Sequence, residues 1–315
     1  MNGVSVEFGK VDVLGLNQID LNLPADDPRT WLALKKARDG RGAQFTPRIG
    51  VGAPVWGVKA WCGKVYPVGT QARDFLFHYS RQFNSIELNT THYHIPDEAT
   101  VTRWRETTPN GFKFNVKFLQ DVSHRRPLAA NAALTREFVA RIMGLEDRLG
   151  LSFIQLPPAF SPSELPELKN FIAQLPVDFP LAVEVRHPDF FVDHRLSPRL
   201  FDLLSETEKF VVITDVAGRR DVLHTSLPGA RVMVRFIGND LHPTDDTRIV
   251  DWAQRLHTWL NLGLEQVEFF VHEPEDRATP EVIARFVDKM NQECGVALSK
   301  WVPYETETQL SLLNL

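Results

Sequence analysis

Several short apolar runs in this chain carry side chains that such runs do not ordinarily hold. NSIEL (84–88) contains Glu87 and is followed by Asn89, FKFNVKF (112–118) contains Lys117, and SFIQL (152–156) contains Gln155. LAVEVR (181–186) holds Glu184 and Arg186 with His187 next, FVVITD (210–215) ends in Asp215, RVMVRFI (231–237) holds Arg235, and VEFFVH (267–272) ends in His272. Charge placed in a core is costly unless it is paired. The types present would do chemistry together. The carboxylates Glu87, Glu184 and Asp215 can act as general acid or base, tuned by neighbouring cations. Arg186, Arg235 and the loop residue Arg219 suit a bidentate grip on phosphate or carboxylate. Lys117, set between Phe114 and Phe118, fits an anion-binding or ion-paired role better than a Schiff base. Trp56 and Trp61 either stack on a substrate ring or form an aromatic plug.

Convergence of these groups depends on the elements that hold them. Glu87 and Asn89, Asn115 and Lys117, and Glu184 and Arg186 are each two residues apart, so each pair faces one side of a strand. The apolar runs number eight once RIGVGA (48–53) is included. Helix signals lie between most of them, at 70–82, 97–107, 131–150, 163–175, 197–208, 245–261 and 280–293, whereas 216–230 predicts only a loop or single turn. This alternation predicts an α/β fold, a TIM-type (β/α)8 barrel of parallel strands, over 48–295. In such barrels ligands meet the carboxyl ends of the strands, and the polar residues above lie at those ends. The N-terminal halves read as nearly all apolar. Residues 1–47 read as an extension packed on the barrel, too small for a core of its own, and 296–315 as a tail. An open doubly wound sheet would need a glycine-rich phosphate loop, which Gly50, Gly52 and Gly57 do not make.

Composition narrows the partners. A net charge of −5 and a pI near 6.1 disfavour a general nucleic-acid or polybasic membrane binder. Cys62 and Cys294 suggest neither a disulfide framework nor a zinc site. No leader is visible and no apolar run nears the roughly 18 residues that span a bilayer, so a cytoplasmic protein is expected.

The ordered matches GxxxWxxxxWxGxxYP (52–67), FNSIELNTTHYHIP (83–96), FKFNVKF, FIQLPPAF (153–160), AVEVRHPDF (182–190) and VRFIGN (234–239) resemble the YecE-like family, domain of unknown function 72. TDxxGRRDxxH (214–224) and TDDTRIxDW (244–252) are similar to a subgroup with an N-terminal extension. The resemblance implies a TIM-type barrel and assigns no chemistry.

The groups gathered at the strand ends point to an enzyme of hydrolase or isomerase type acting on an anionic, phosphate-bearing small molecule or nucleic-acid end, the small molecule being favoured. A non-catalytic binding protein for an anionic metabolite or partner is the alternative. Glycoside hydrolysis by Glu87 and Glu184 ranks below both, because the fourth and seventh strands end in Gln155 and Arg235. No cofactor is called for, although a divalent metal on Glu87, Glu184, Asp215 and His272 stays open, with arginines competing for the same carboxylates.

Overall fold

The computed structural model describes residues 9, 11, 13–42 and 45–304, so the start of the extension and residues 305–315 of the expected tail lie outside the described residues. All eight apolar runs form strands: β1 (Arg48–Gly52), β2 (Ser85–Leu88), β3 (Lys113–Val116), β4 (Ser152–Gln155), β5 (Leu181–Glu184), β6 (Phe210–Asp215), β7 (Arg231–Ile237) and β8 (Gln266–His272). Six make one parallel sheet in the order β1-β8-β7-β6-β5-β4, while β2 and β3 pair in parallel separately. The fold is therefore α/β with a central six-stranded parallel sheet.

The ladder is interrupted at two seams, and asparagines stitch both. Between β1 and β2, the Asn84 amide accepts from Val51 N (2.7 Å) and donates to Ile49 O (2.9 Å). Gly52 runs so close to β2 that a Cβ there would lie 1.9 Å from Ser85 O. Past this stitch, Glu87 N donates to Ala53 O (3.1 Å). Between β3 and β4, Asn115 Oδ1 accepts from Leu151 N (2.7 Å), flanked by Gly150 N to Phe114 O and Phe118 N to Phe153 O, both 2.8 Å. A side-chain amide inserted between strands satisfies the backbone groups that the ladder would otherwise pair.

Besides two four-residue turns of helix at Val13–Leu16 and Gln120–Ser123, the helices are α1 (Pro28–Asp39) in the extension, then α2 (Phe75–Gln82), α3 (Glu98–Thr107), α4 (Ala132–Met143), α5 (Leu165–Ile172), α6 (Pro198–Glu206), α7 (Pro243–Leu262) and α8 (Thr279–Cys294). The helix expected over 131–150 stops at Met143. Gly144 N bonds back to Arg141 O, and Glu146, at φ 51°, turns the chain toward the start of β4. Residues 216–230 hold only the 3-10 segment Ala217–Val222, as the composition predicted. Among the described residues no helix is long and apolar enough to cross a membrane.

Two apolar clusters follow from strand alternation. Leu151, Phe153, Ala182, Val212, Met233 and Phe270 meet on the inner face, and the opposite faces, including Val211 and Ile213, pack on the helices. Strands β4 to β8 therefore have one face of each kind, and the residues that follow this apolar layer on the same face stand at the carboxyl ends.

Candidate active site at the strand mouth

Above the inner apolar layer, Glu87, Gln155, Glu184, Arg235 and His272 form one connected network. Arg235 reaches Glu87 with two bonds, Nε to Oε2 (2.9 Å) and Nη2 to Oε1 (3.0 Å), and Glu184 with a third, Nη1 to Oε2 (3.2 Å). It thus ties β7 to both β2 and β5. Asn89 Nδ2 donates to Glu87 Oε1 (2.9 Å), and His272 Nε2, facing an ionised carboxylate that only accepts, donates to Oε2 (3.0 Å). Arg186 donates to Glu184 Oε1 (2.7 Å) and to Gln155 Oε1 (2.9 Å).

These contacts set the protonation states. Burial alone would raise the Glu87 carboxyl, but Arg235 and His272 outweigh it and hold it well below the usual range. Burial likewise opposes Glu184, and Arg186, Arg235 and Lys117 bring it down. Both carboxylates are fixed anions that orient cations. Neither has the raised pKa that a glycosidase acid requires.

Lys117 differs from the arginines. Its ammonium lies 5.9 Å from the Phe153 ring centroid and has no hydrogen bond or ion pair among the described residues. Burial, with Arg235 second, lowers it to about 8. The site also leaves buried polar atoms unpartnered among the described residues: Asn89 Oδ1, Thr214 Oγ1 and Glu273 Oε1. Such atoms are rare in folded proteins and call for a partner.

Glu273, which the sequence puts beside His272 at the end of the eighth strand without marking a role for it, is a site residue. It is 6 % exposed and lies against Gly238, where a Cβ would sit 1.7 Å from Glu273 Oε1. Its other oxygen accepts from Asp240 N (2.8 Å). Burial, with the Asp245 charge adding, pushes this carboxyl up to about 7. Beside it, Asp240, Leu241, Glu275 and Asp276 all hold φ between 55° and 60°, a region that disfavours side chains and gathers at functional sites. A cavity of about 600 Å³ opens here, lined by Arg186, Thr214, Arg235, His272, Glu273 and Asp276 among others.

Several expected site residues stand elsewhere. Asp215 leaves β6 on the helix-facing side with Val211 and Ile213, where Arg220, Arg248 (3.0 Å) and Trp252 Nε1 (2.8 Å) saturate it. It is a structural anion, held low against burial by Arg248 and Arg220. Trp61 is fully buried, stacked on Tyr79 and bonded to Asp276 O (2.8 Å), so it is core and not a substrate platform. Trp56 packs edge-on against Trp104. His187 turns into its loop and accepts from Asp189 N (3.2 Å). Arg219 pairs with Asp221 and donates to Arg186 O (3.1 Å) at the rim. With Asp215 on the other face, the metal ligand set drawn from the sequence is not assembled, and no other group of three ligating side chains occurs among the described residues.

The N-terminal strand halves are not nearly all apolar. Glu268, fully buried, accepts from Arg48 Nε (2.9 Å), Gln266 Nε2 (2.8 Å), Asn115 Nδ2 (3.3 Å) and the Ser85 hydroxyl. This floor lies below the apolar layer. It was legible in VEFFVH, where the two-residue period puts Glu268 on the face of Phe270 and His272.

The family model described as "Protein of unknown function DUF72" matches residues 50–306. The chain is 33% identical over 253 residues to the UPF0759 protein YecE of Escherichia coli K12, and equally to that of strain O157:H7, covering 75% of this chain and 90% of each relative. A DUF72 family protein of Enterococcus faecalis V583 superimposes with TM-score 0.61 at 16% identity, covering 82% of this chain and all (100%) of that one. One from Thermotoga maritima MSB8 gives 0.58 at 19%, covering 78% and 100%. The structural likenesses concern the fold.

Proposed function

The chain belongs to the DUF72 family, and from that premise we propose that its eight strands close into one TIM-type barrel whose mouth is an active site for a small anionic, phosphate-bearing substrate. The observation that carries the reading is Lys117, a half-buried ammonium without a hydrogen bond or ion pair among the described residues, set where Glu87 and Glu184 hold Arg235 and Arg186 in place. Each arginine is paired with one of those carboxylates, so among these five groups Lys117 is the cation left to meet an incoming anion. Fixed charges in a water-poor site need no reorganisation when the anion arrives. Catalysis is of hydrolase or isomerase type. Glu273, near neutral pH a mixture of acid and carboxylate, is the proton donor or acceptor, and Glu87 and Glu184 are positioning residues. The distant free thiols Cys62 and Cys294 fit a cytoplasmic location.

Calorimetric titration with inorganic phosphate tests the binding half. Lys117→Met is expected to weaken binding by about 10- to 100-fold, the worth of a charge-assisted bond. Affinity of the unaltered protein for one ionic form of phosphate should fall as pH rises through about 8, where Lys117 loses its proton. Equal binding by Lys117→Met removes the reading. A panel of phosphate monoesters and sugar phosphates, followed for released phosphate or isomerised product, tests the catalytic half. Binding without turnover across the panel leaves a non-catalytic anion-binding protein.

A further inference from the structure

The mouth cavity is lined by charged and apolar side chains together. Arg186, Arg235 and His272 stand there with the acidic Asp240, Glu273, Glu275 and Asp276, and Val11, Leu16, Pro54, Val216 and Ile237 supply its apolar lining. Val11 and Leu16 belong to the N-terminal extension, outside the segment 50–306 that the family model matches.

The extension is fastened there by specific bonds. Arg220 Nη2 donates to Leu21 O (3.0 Å) and Asn22 O (2.8 Å), Thr225 Oγ1 to Ala25 O (2.8 Å), and the Ser226 hydroxyl to Asp27 Oδ2 (2.7 Å). Trp259 Nε1 reaches Asp26 Oδ1 (3.1 Å). Nearest the cavity, Gly218 N donates to Gly9 O (2.9 Å). Two glycines allow that approach. A Cβ on Gly218 would lie 2.6 Å from Gly9 O, and Gly9, at φ 78°, would place a Cβ 2.9 Å from the Val216 side chain. Arg220 also pairs with Asp215, so the buried charge that plays no part in the mouth holds the strap that covers it.

We infer that the substrate is amphiphilic: an anionic head at Arg186 and Arg235, whose charges adjoin Lys117, and an apolar chain or ring against the surface that Val11 and Leu16 complete. The inference rests on the anion-binding reading above and adds the substrate's second half. A wholly polar anion would gain nothing from this surface, whereas each methylene buried on it strengthens binding about fourfold, the factor equivalent to about 0.8 kcal/mol.

The experiment is calorimetric titration of the full chain with inorganic phosphate and n-alkyl phosphates from methyl to hexyl, at fixed ionic strength. The unaltered protein should bind about fourfold tighter per added methylene until the cavity fills. Val11→Asn, and independently Gly218→Val, which pushes Gly9 away, should flatten that series while inorganic phosphate binds as before. A flat series in the unaltered protein, or an undiminished slope in both variants, overturns the amphiphilic assignment while phosphate still binds. If inorganic phosphate itself fails to bind, the anion-binding reading falls first and takes this one with it.

Discussion

Glu268 on β8 and Glu273 just beyond it are both buried carboxyls pressed against a glycine, Gly50 in one case and Gly238 in the other. At the floor, Glu268 receives donors on both oxygens: Arg48 and Gln266 on one, Ser85 and Asn115 on the other. At the mouth, Glu273 has one oxygen bonded to Asp240 N and the other without a partner among the described residues. Burial is the same and satisfaction is not. A saturated carboxylate closes its end of the strands. A half-satisfied one beside a cavity and four left-handed residues keeps capacity for something that arrives, and it weakens the fold while it waits.

The contrast can be broken most forcefully at the floor. Glu268→Ala strands buried donors around an empty volume and should lower unfolding free energy by about 3–5 kcal/mol in urea titrations. Phosphate affinity of the folded fraction should not change. Lost binding with intact stability would reverse the roles assigned to the two ends.

Glu273 comes next, through its pH dependence. Its folded pKa of about 7 stands above the ordinary 4.5, so the unfolded chain releases this proton first as pH rises. The acid form's stability contribution is complete below about 4.5 and is lost as pH climbs through about 7. Glu273→Gln should therefore be near neutral in effect at pH 4 and stabilising at pH 8, by at most about 3 kcal/mol. Equal effects at both values would mean that the carboxyl is not buried unsatisfied.

The smallest effect concerns Lys117, whose folded pKa of about 8 lies below the ordinary 10.5. The unfolded chain holds this proton more tightly, so the buried ammonium weakens the fold below about 8 and the penalty fades toward 10.5. Lys117→Met should gain about 1 kcal/mol at pH 7 by thermal melting, allowing for its partial exposure, and less at pH 9. Stability gained as phosphate binding is lost would mark a residue kept for function. Stability lost instead would place Lys117 with the floor.

Part of this site was legible in the residues alone and part was not, for identifiable reasons. Glu87, Glu184 and Arg235 were legible because a charge amid β-branched residues points to one face at a two-residue period. Asp215 was misplaced because both faces of FVVITD are apolar, so the run does not say which parity faces inward, and its partners Arg248 and Trp252 come from a helix much later in the chain. Trp61 looked like a platform because bulk and proximity to a strand end do not reveal the aromatic neighbours that enclose it. Glu273 followed His272 out of the strand, where periodicity no longer applies, and its significance depends on Gly238 in another loop. The seams at Asn84 and Asn115 left no mark, since an asparagine that replaces a ladder looks like one that ends a strand.

The strap over the mouth also bears on the order in which the molecule is made. Its anchoring segment leaves the ribosome well before Arg220, Thr225, Ser226 and Trp259, which receive it about 200 residues later, beyond most of the strands. Residues 20–27 must therefore wait for these partners through most of synthesis, and contacts so distant in sequence form slowly. The apolar part of the cavity lining is therefore completed late, and a chain whose strap has not docked lacks the surface that Val11 and Leu16 bring to the mouth.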